Sequence, residues 1–394
     1  MPMKNIYIAV FVSTILIWGF YCICFGIGMS SDSWQYSGWA DVLVSKSFNI
    51  NAYLRSIDFI VPPYLYLGFI SVVAFSKIVA GMFWQQAIVI INVLLGAFLA
   101  VILANLIYIF TKNKIVVCLI SSLFILSPEI MLWSRFVLSD ISYMFINFFL
   151  FYLLVKFLLS NNKRMISYGG IIILTLLLNC IYRPTGLVMI PAVLIVFYLK
   201  MAKKEMSWVI FFFCFVFIAA VLIFFHSLVI KDPESWPFEF GKSYLKNWVI
   251  VAYQKGMVVH NRLNTYHQVP ITLGDYISIT LDKFMHYFYF YDKMFKLYHK
   301  IINYIFFTPL YALFILGAIA GSKKPALPNI RSLIALAIMV IISFSLFHAM
   351  MTIDHDWRYR LPVFPYLLLI AGVGLNFMLR SFTRHHALDF KQRK

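Results

Sequence analysis

Ten apolar segments of bilayer length, at 6–28, 85–110, 115–133, 141–159, 166–182, 186–199, 207–230, 301–320, 332–352 and 361–379, divide this chain of 394 residues. A helix needs about 20 residues to cross the hydrocarbon core, and in lipid it satisfies every backbone amide within its own segment. The chain therefore reads as an all-α polytopic membrane protein of about ten transmembrane helices. With 62% of its residues hydrophobic and 12% charged, it has too little polar surface to solvate a water-soluble globule.

The distribution of charge sets the topology. Lys and Arg in short loops favour the cytoplasm. A cytoplasmic N-terminus puts Lys112 and Lys114, Lys163 and Arg164, Lys200, Lys203 and Lys204, Lys323, Lys324 and Arg331, and the basic tail 380–394 all on the inner side. An eleventh apolar stretch, 59–81, would turn every one of these clusters outward if it crossed. It opens with Pro62-Pro63, so a juxtamembrane or re-entrant course is expected instead. The formal charge of +18 comes in these clusters rather than along one face, a pattern that belongs to topology and speaks against nucleic acid as a partner.

The first apolar run exceeds the length of a signal-peptide core and carries no clear small-x-small cleavage site, so a retained first span is expected. All five cysteines lie within apolar runs, so no disulfide framework or cysteine metal site is indicated. The expected organisation is one transmembrane domain over 1–394 with two substantial outer pieces, residues 29–84 and 231–300. The second alternates aromatic and basic residues such as Lys242, Tyr244, Lys246 and Trp248, a pattern suited to helices lying in the interface.

The acids and arginines on the expected outer side collect at helix ends. Asp32 and Tyr36 follow the first span; Glu129 and Asp140 lie in the stretch Ser127–Asp140; Arg183 precedes Pro184-Thr185-Gly186; and Asp354-His355-Asp356-Trp357-Arg358-Tyr359-Arg360 leads into the last span. Ionisable groups at membrane depth are costly, so a constellation of this kind reads as a functional cavity. Arginines grip phosphate through a planar fork, and carboxylates hold a cation or accept a hydroxyl proton. Each residue also has a bland alternative: Asp32 and Asp140 as helix caps, Glu129 as a solvated turn residue, and the arginines as interface anchors.

These motifs, in this order, resemble the GT-C glycosyltransferases, which include oligosaccharyltransferase catalytic subunits, protein O-mannosyltransferases and bacterial lipid A aminoarabinose transferases. Asp32, Tyr36 and Ala40 are similar to the acidic motif of the family's first outer loop, and Glu129 with Asp140 to its second acidic motif. Arg183-Pro184-Thr185-Gly186-Leu187 and Arg358-Tyr359-Arg360-Leu361-Pro362-Val363-Phe364-Pro365 look like the Arg-Pro-Thr-Gly and Arg-Tyr…Pro…Pro segments of bacterial members. The first loop has a single acid where many members carry two adjacent ones, the second motif is spread out, and the large C-terminal extracytoplasmic domain of some members is not expected.

The resemblance implies juxtamembrane helices in the first outer loop and inverting transfer of a sugar from a polyprenyl-phosphate donor to an extracytoplasmic glycan or glycolipid. It points to Asp32 as general base or acceptor-orienting carboxylate, Asp140 and Glu129 on the acceptor or metal side, Arg183, Arg358 and Arg360 on the donor phosphate, and Tyr36, Tyr359 and His355 as candidate substrate contacts. A divalent cation, Mg or Mn, is left open, and the expected setting is a bacterial inner membrane with the site facing outward. An O-antigen-type polymerase or ligase and a lipid-linked saccharide flippase are the alternatives. The flippase would call for inverted repeats or paired broken helices, and neither is evident in the sequence.

Overall fold

The computed structural model describes residues 2–56, 66–160, 165–202, 273–291, 295–323, 330–350 and 357–392. The expected span 207–230, most of the outer piece 231–300, and Asp354, His355 and Asp356 lie outside the described residues.

The described chain is helical almost throughout. In order come α1 (Met3–Phe25), α2 (Ser31–Ser45), α3 (Ile50–Arg55), α4 (Leu67–Ala80), α5 (Trp84–Thr111), α6 (Lys114–Ile125), α7 (Pro128–Ser134), α8 (Asp140–Leu159), α9 (Met165–Tyr182), α10 (Met189–Ala202), α11 (Leu273–Tyr287), α12 (Leu297–Lys323), α13 (Ile330–Met350) and α14 (Phe364–Gln392). Short 3₁₀ turns at Gly81–Phe83, Pro184–Val188 and Trp357–Val363 lead into α5, α10 and α14.

Seven helical runs among the described residues are long and apolar enough to cross a membrane, or eight if the bent pair α6–α7 counts as one. The outward faces of these helices carry large apolar side chains, such as Leu16, Phe20 and Ile23 on α1 and Ile171 and Leu174 on α9. Contiguous apolar exposure on this scale is unlike a water-facing surface and fits contact with lipid. The protein is membrane-embedded.

Helices α1 and α5 run antiparallel. Asn105 Nδ2 donates to Tyr7 Oη at 2.9 Å near one end, and the Trp18 indole lies against Gly96 further along. A Cβ on Gly96 would enter the Trp18 ring, so glycine is what lets the two backbones close on the indole. Trp18 Nε1 also donates to the Ile125 carbonyl at 2.8 Å, taking up one of the acceptors left over at the end of α6. A second close approach joins α12 to α14, where Gly317 and Gly374 face each other and a Cβ on either would strike the opposite backbone.

One stretch differs from the sequence expectation. The expected span 115–133 is not one helix, because α6 and α7 meet at 52°. Pro128 restricts the residue before it to extended geometry, and Ser127 accordingly has ψ 118°. Residues 67–111 form an apolar run of 45 residues broken at Gly81, whose φ of +53° carries the chain between α4 and α5. Helix α4 packs on α2, where Lys77 Nζ donates to the Ser37 carbonyl at 3.0 Å, to Ser37 Oγ at 2.7 Å and to Asp41 at 2.6 Å.

The end of the bundle where α1 stops and α5 starts is drawn together by one crossing of the chain. Arg135 Nη1 donates to the carbonyls of Phe25 and Gly26 at 2.7 and 3.2 Å, capping α1. Beside it Gly28 pairs in parallel with Phe136, and Asn92 Nδ2 donates to the Phe136 carbonyl at 3.0 Å. The segment leading to α2 therefore lies alongside the segment leading to α8, and the acids that open those helices share one end of the protein.

Packing of Trp18 on Gly96 makes a testable contrast within the same region. Gly96→Val should lower stability by about 1–3 kcal/mol by overpacking. Gly19 is the neighbour of Trp18 in sequence, but a methyl group there would have open space, with nothing within 4 Å, so alanine should be accepted without loss. Thermal unfolding in detergent separates the two, and equal midpoints would disprove the tight contact.

Candidate functional site

Asp32 is the second residue of α2, but it does not cap that helix. Ser30 Oγ accepts from Ser33 N at 3.2 Å while Ser33 Oγ accepts from Ser30 N at 2.9 Å, a reciprocal capping box. The carboxylate of Asp32 is thus left for another partner, and Arg358 Nη1 donates to its Oδ2 at 2.9 Å. The Arg358 guanidinium lies 5.3 Å from the Trp133 ring centroid, so α7 backs it with an aromatic face.

Asp140 opens α8 as Asp32 opens α2, and it too is paired. Arg183 Nη1 donates to Asp140 Oδ1 at 2.8 Å. Arg183 comes from the turn between α9 and α10, where Pro184 starts the 3₁₀ turn and Arg183 is held extended at φ −154°. Gly186 allows this turn to fold back, since a Cβ there would meet the Asn179 backbone. The side chain of Asp140 is fully buried, whereas that of Asp32 is 34% exposed.

Tyr36 lies within electrostatic reach of Asp32, Asp140 and Arg183. Its ring packs 5.5 Å from Tyr66, 5.0 Å from Phe69 and 5.9 Å from Trp39. Burial pushes its phenol well above the usual value; Tyr66, Asp32 and Asp140 push the same way and Arg183 opposes them, so both ion pairs act on this ring. Burial also raises Tyr66, on which Arg183, Asp32, Asp140 and Arg358 all act. Both phenols stay protonated at neutral pH and can donate.

Glu129 and Arg360 form a separate, drier cluster. Arg360 Nε donates to Glu129 Oε2 at 2.9 Å, Nη2 donates to Oε1, and Nη1 donates to the Tyr289 carbonyl at 2.6 Å. Trp357 Nε1 donates to Glu129 as well, and the guanidinium stacks on the Trp357 and Phe307 rings at 3.5 and 4.1 Å. All three Arg360 nitrogens are engaged, and both side chains are nearly inaccessible.

The structure therefore brings Asp32, Asp140, Arg183, Arg358 and Tyr36 together and gathers Glu129 with Arg360 elsewhere. Tyr359 stacks on His348, the rings 4.5 Å apart at 7°, and its carbonyl accepts from Tyr287 Oη at 2.9 Å. His355 lies outside the described residues. Sequence reasoning missed Tyr66 and Trp133. Tyr66 follows the Pro62-Pro63 stretch without a pattern of its own, whereas Trp133 could have been found by its place two residues before Arg135 in the acidic segment.

A divalent cation fits these residues poorly. Among the described residues no three His, Cys, Asp or Glu side chains gather as ligands. Asp32, Glu129 and Asp140 also each face a guanidinium, which competes for the same oxygens.

No protein-family model, curated protein or solved structure matches this chain.

The buried Glu129–Arg360 pair makes a stability prediction. Glu129→Ala should cost about 3–5 kcal/mol by stranding the guanidinium, while a Glu129→Leu/Arg360→Met double variant should recover most of it. Unfolding midpoints of the two variants in detergent decide, and a silent Glu129→Ala would rule out a structural pair.

Proposed function

We propose that this protein is a GT-C-type glycosyltransferase that moves a sugar from a polyprenyl-phosphate donor to an extracytoplasmic glycan or glycolipid, with inversion. The observation that carries this reading is the joining of two arginine–carboxylate pairs, Asp32–Arg358 and Asp140–Arg183, from four separate stretches at one end of an apolar helical bundle. A lipid-linked phosphosugar needs cations for the departing phosphate and a carboxylate for the attacking hydroxyl.

In this mechanism the acceptor oxygen attacks the anomeric carbon as the bond from that carbon to the phosphate oxygen breaks, and the electron pair leaves with the phosphate. Asp32 accepts the hydroxyl proton, because a sugar hydroxyl is a poor nucleophile until it is relieved of one. Arg358 and Arg183 stabilise the negative charge on the leaving phosphate. The neutral phenols of Tyr36 and Tyr66 add hydrogen-bond donors beside the same phosphate, and Asp140 holds Arg183 in place. Arg360 and Glu129 brace the turn that presents Arg358, a role suited to a guanidinium whose nitrogens are all engaged.

The topology proposed with this reading has ten spans, both termini in the cytoplasm, α2 and α4 lying along the outer face, and the site opening outward from a bacterial inner membrane. The packing of α4 on α2 through Lys77 supports a course beside the membrane for this stretch. Lys114 lies at the junction of α5 and α6, and a cysteine there in a cysteine-free background should resist labelling from outside intact cells. Outside labelling would reverse the orientation.

The decisive experiment is transfer by purified protein in lipid nanodiscs. Asp32→Asn should fold normally, because Ser30 and Ser33 cap α2, yet lose about 10²–10⁴-fold in rate. Activity above about a tenth of wild type would remove Asp32 from the role of base. Arg358→Lys keeps the charge but not the fork, and should weaken use of the donor while leaving the acceptor's apparent affinity little changed.

A further inference from the structure

The two ion pairs are not equivalent. Asp140 is fully buried with Oδ2 lacking a hydrogen-bond partner, so drawing Arg183 away would strand a buried carboxylate at high cost. Asp32 is 34% exposed, and Arg358 13%. Separating this pair leaves the carboxylate in contact with solvent, and α2 keeps its cap because Ser30 and Ser33 supply it. Trp133 continues to hold the Arg358 guanidinium when Asp32 leaves it.

We propose that the Asp32–Arg358 pair is a latch that the donor phosphate opens, taking over Arg358 and so releasing the Asp32 carboxylate to receive the acceptor hydroxyl. This inference rests on the glycosyltransferase reading and adds an order to it. With Arg358 on Asp32, the guanidinium occupies the carboxylate oxygen that an acceptor hydroxyl would need. Once an anion occupies Arg358, that oxygen is open to the acceptor hydroxyl beside the reacting centre. Donor binding thereby prepares the site for acceptor. The Asp140–Arg183 pair stays closed throughout and serves as the fixed wall of the phosphate site.

The test is the binding of polyprenyl phosphate, without sugar, to purified protein in nanodiscs, compared among wild type, Asp32→Asn, Arg358→Ala and the double variant. Asp32→Asn should bind about two- to fivefold more tightly than wild type, the range expected for removing one partly exposed competing partner. In the Arg358→Ala background the same substitution should change affinity by less than about 1.5-fold, because the competition has gone. Failure of wild type to bind polyprenyl phosphate would overturn the glycosyltransferase reading itself. Binding by wild type with unchanged or weaker binding by Asp32→Asn would overturn only the latch, as would equal tightening in both backgrounds. Should a variant fail to fold, carboxyl-directed labelling of wild type read by mass spectrometry gives a second measurement. Labelling of Asp32 should rise on adding polyprenyl phosphate, and constant or reduced labelling overturns the latch.

Discussion

The cost of holding charge in a low-dielectric bundle governs this structure. An unpaired guanidinium or carboxylate away from water is destabilising by several kcal/mol, and the remedy is a partner of opposite sign with its remaining hydrogen bonds satisfied. Asp32, Glu129 and Asp140 each meet an arginine, and Arg358, Arg360 and Arg183 each lie over an aromatic ring. The rings replace part of the solvation that water would have given, through their negative faces. Pairing within the bundle thus decides which helix ends come together, and packing of the apolar faces follows.

The route by which the chain reaches this arrangement is backbone chemistry more than side-chain packing. Pro128 breaks the third apolar segment, and α7 then carries Glu129 and Trp133 sideways toward the last turn of the chain. Arg135 closes the end of α1, and the Gly28–Phe136 bridge sets the two acid-bearing segments side by side. Gly68 lets α4 approach Tyr182, since a Cβ there would meet that ring and its backbone. Each device replaces a length of regular helix by a short irregular piece or a close contact, and irregular pieces are tolerated at membrane depth only where protein covers them.

Much of the helix pattern was legible in the sequence because the bilayer imposes a length. The apolar segments at 6–28, 85–110, 141–159, 166–182, 301–320 and 332–352 correspond to helices within a few residues. The bend inside 115–133 was signalled by Pro128, but hydropathy averaged over it. Asp32, Asp140, Arg183 and Arg358 stood out as charges at helix ends, yet no local pattern told which acid would meet which arginine. Those contacts join residues 326 and 43 positions apart, a long-range property set by the packing of every helix between them. The same limit applies to Arg358 and Arg360, alike in sequence and two residues apart, which leave one 3₁₀ turn in different directions and meet different surroundings.

That divergence between two neighbouring arginines bears on how such a site can be both stable and reactive. Arg360 commits its whole fork to Glu129 and a carbonyl in a dry cluster, so it is well placed to fix the turn and poorly placed to exchange partners. Arg358, on the same turn, pairs with a carboxylate that is partly exposed. In the proposed latch, rigidity at Arg360 would hold the backbone in order while Arg358 changes partner. A turn with two exchangeable arginines would lose its position on binding substrate; one with two locked arginines would have nothing to offer an anion.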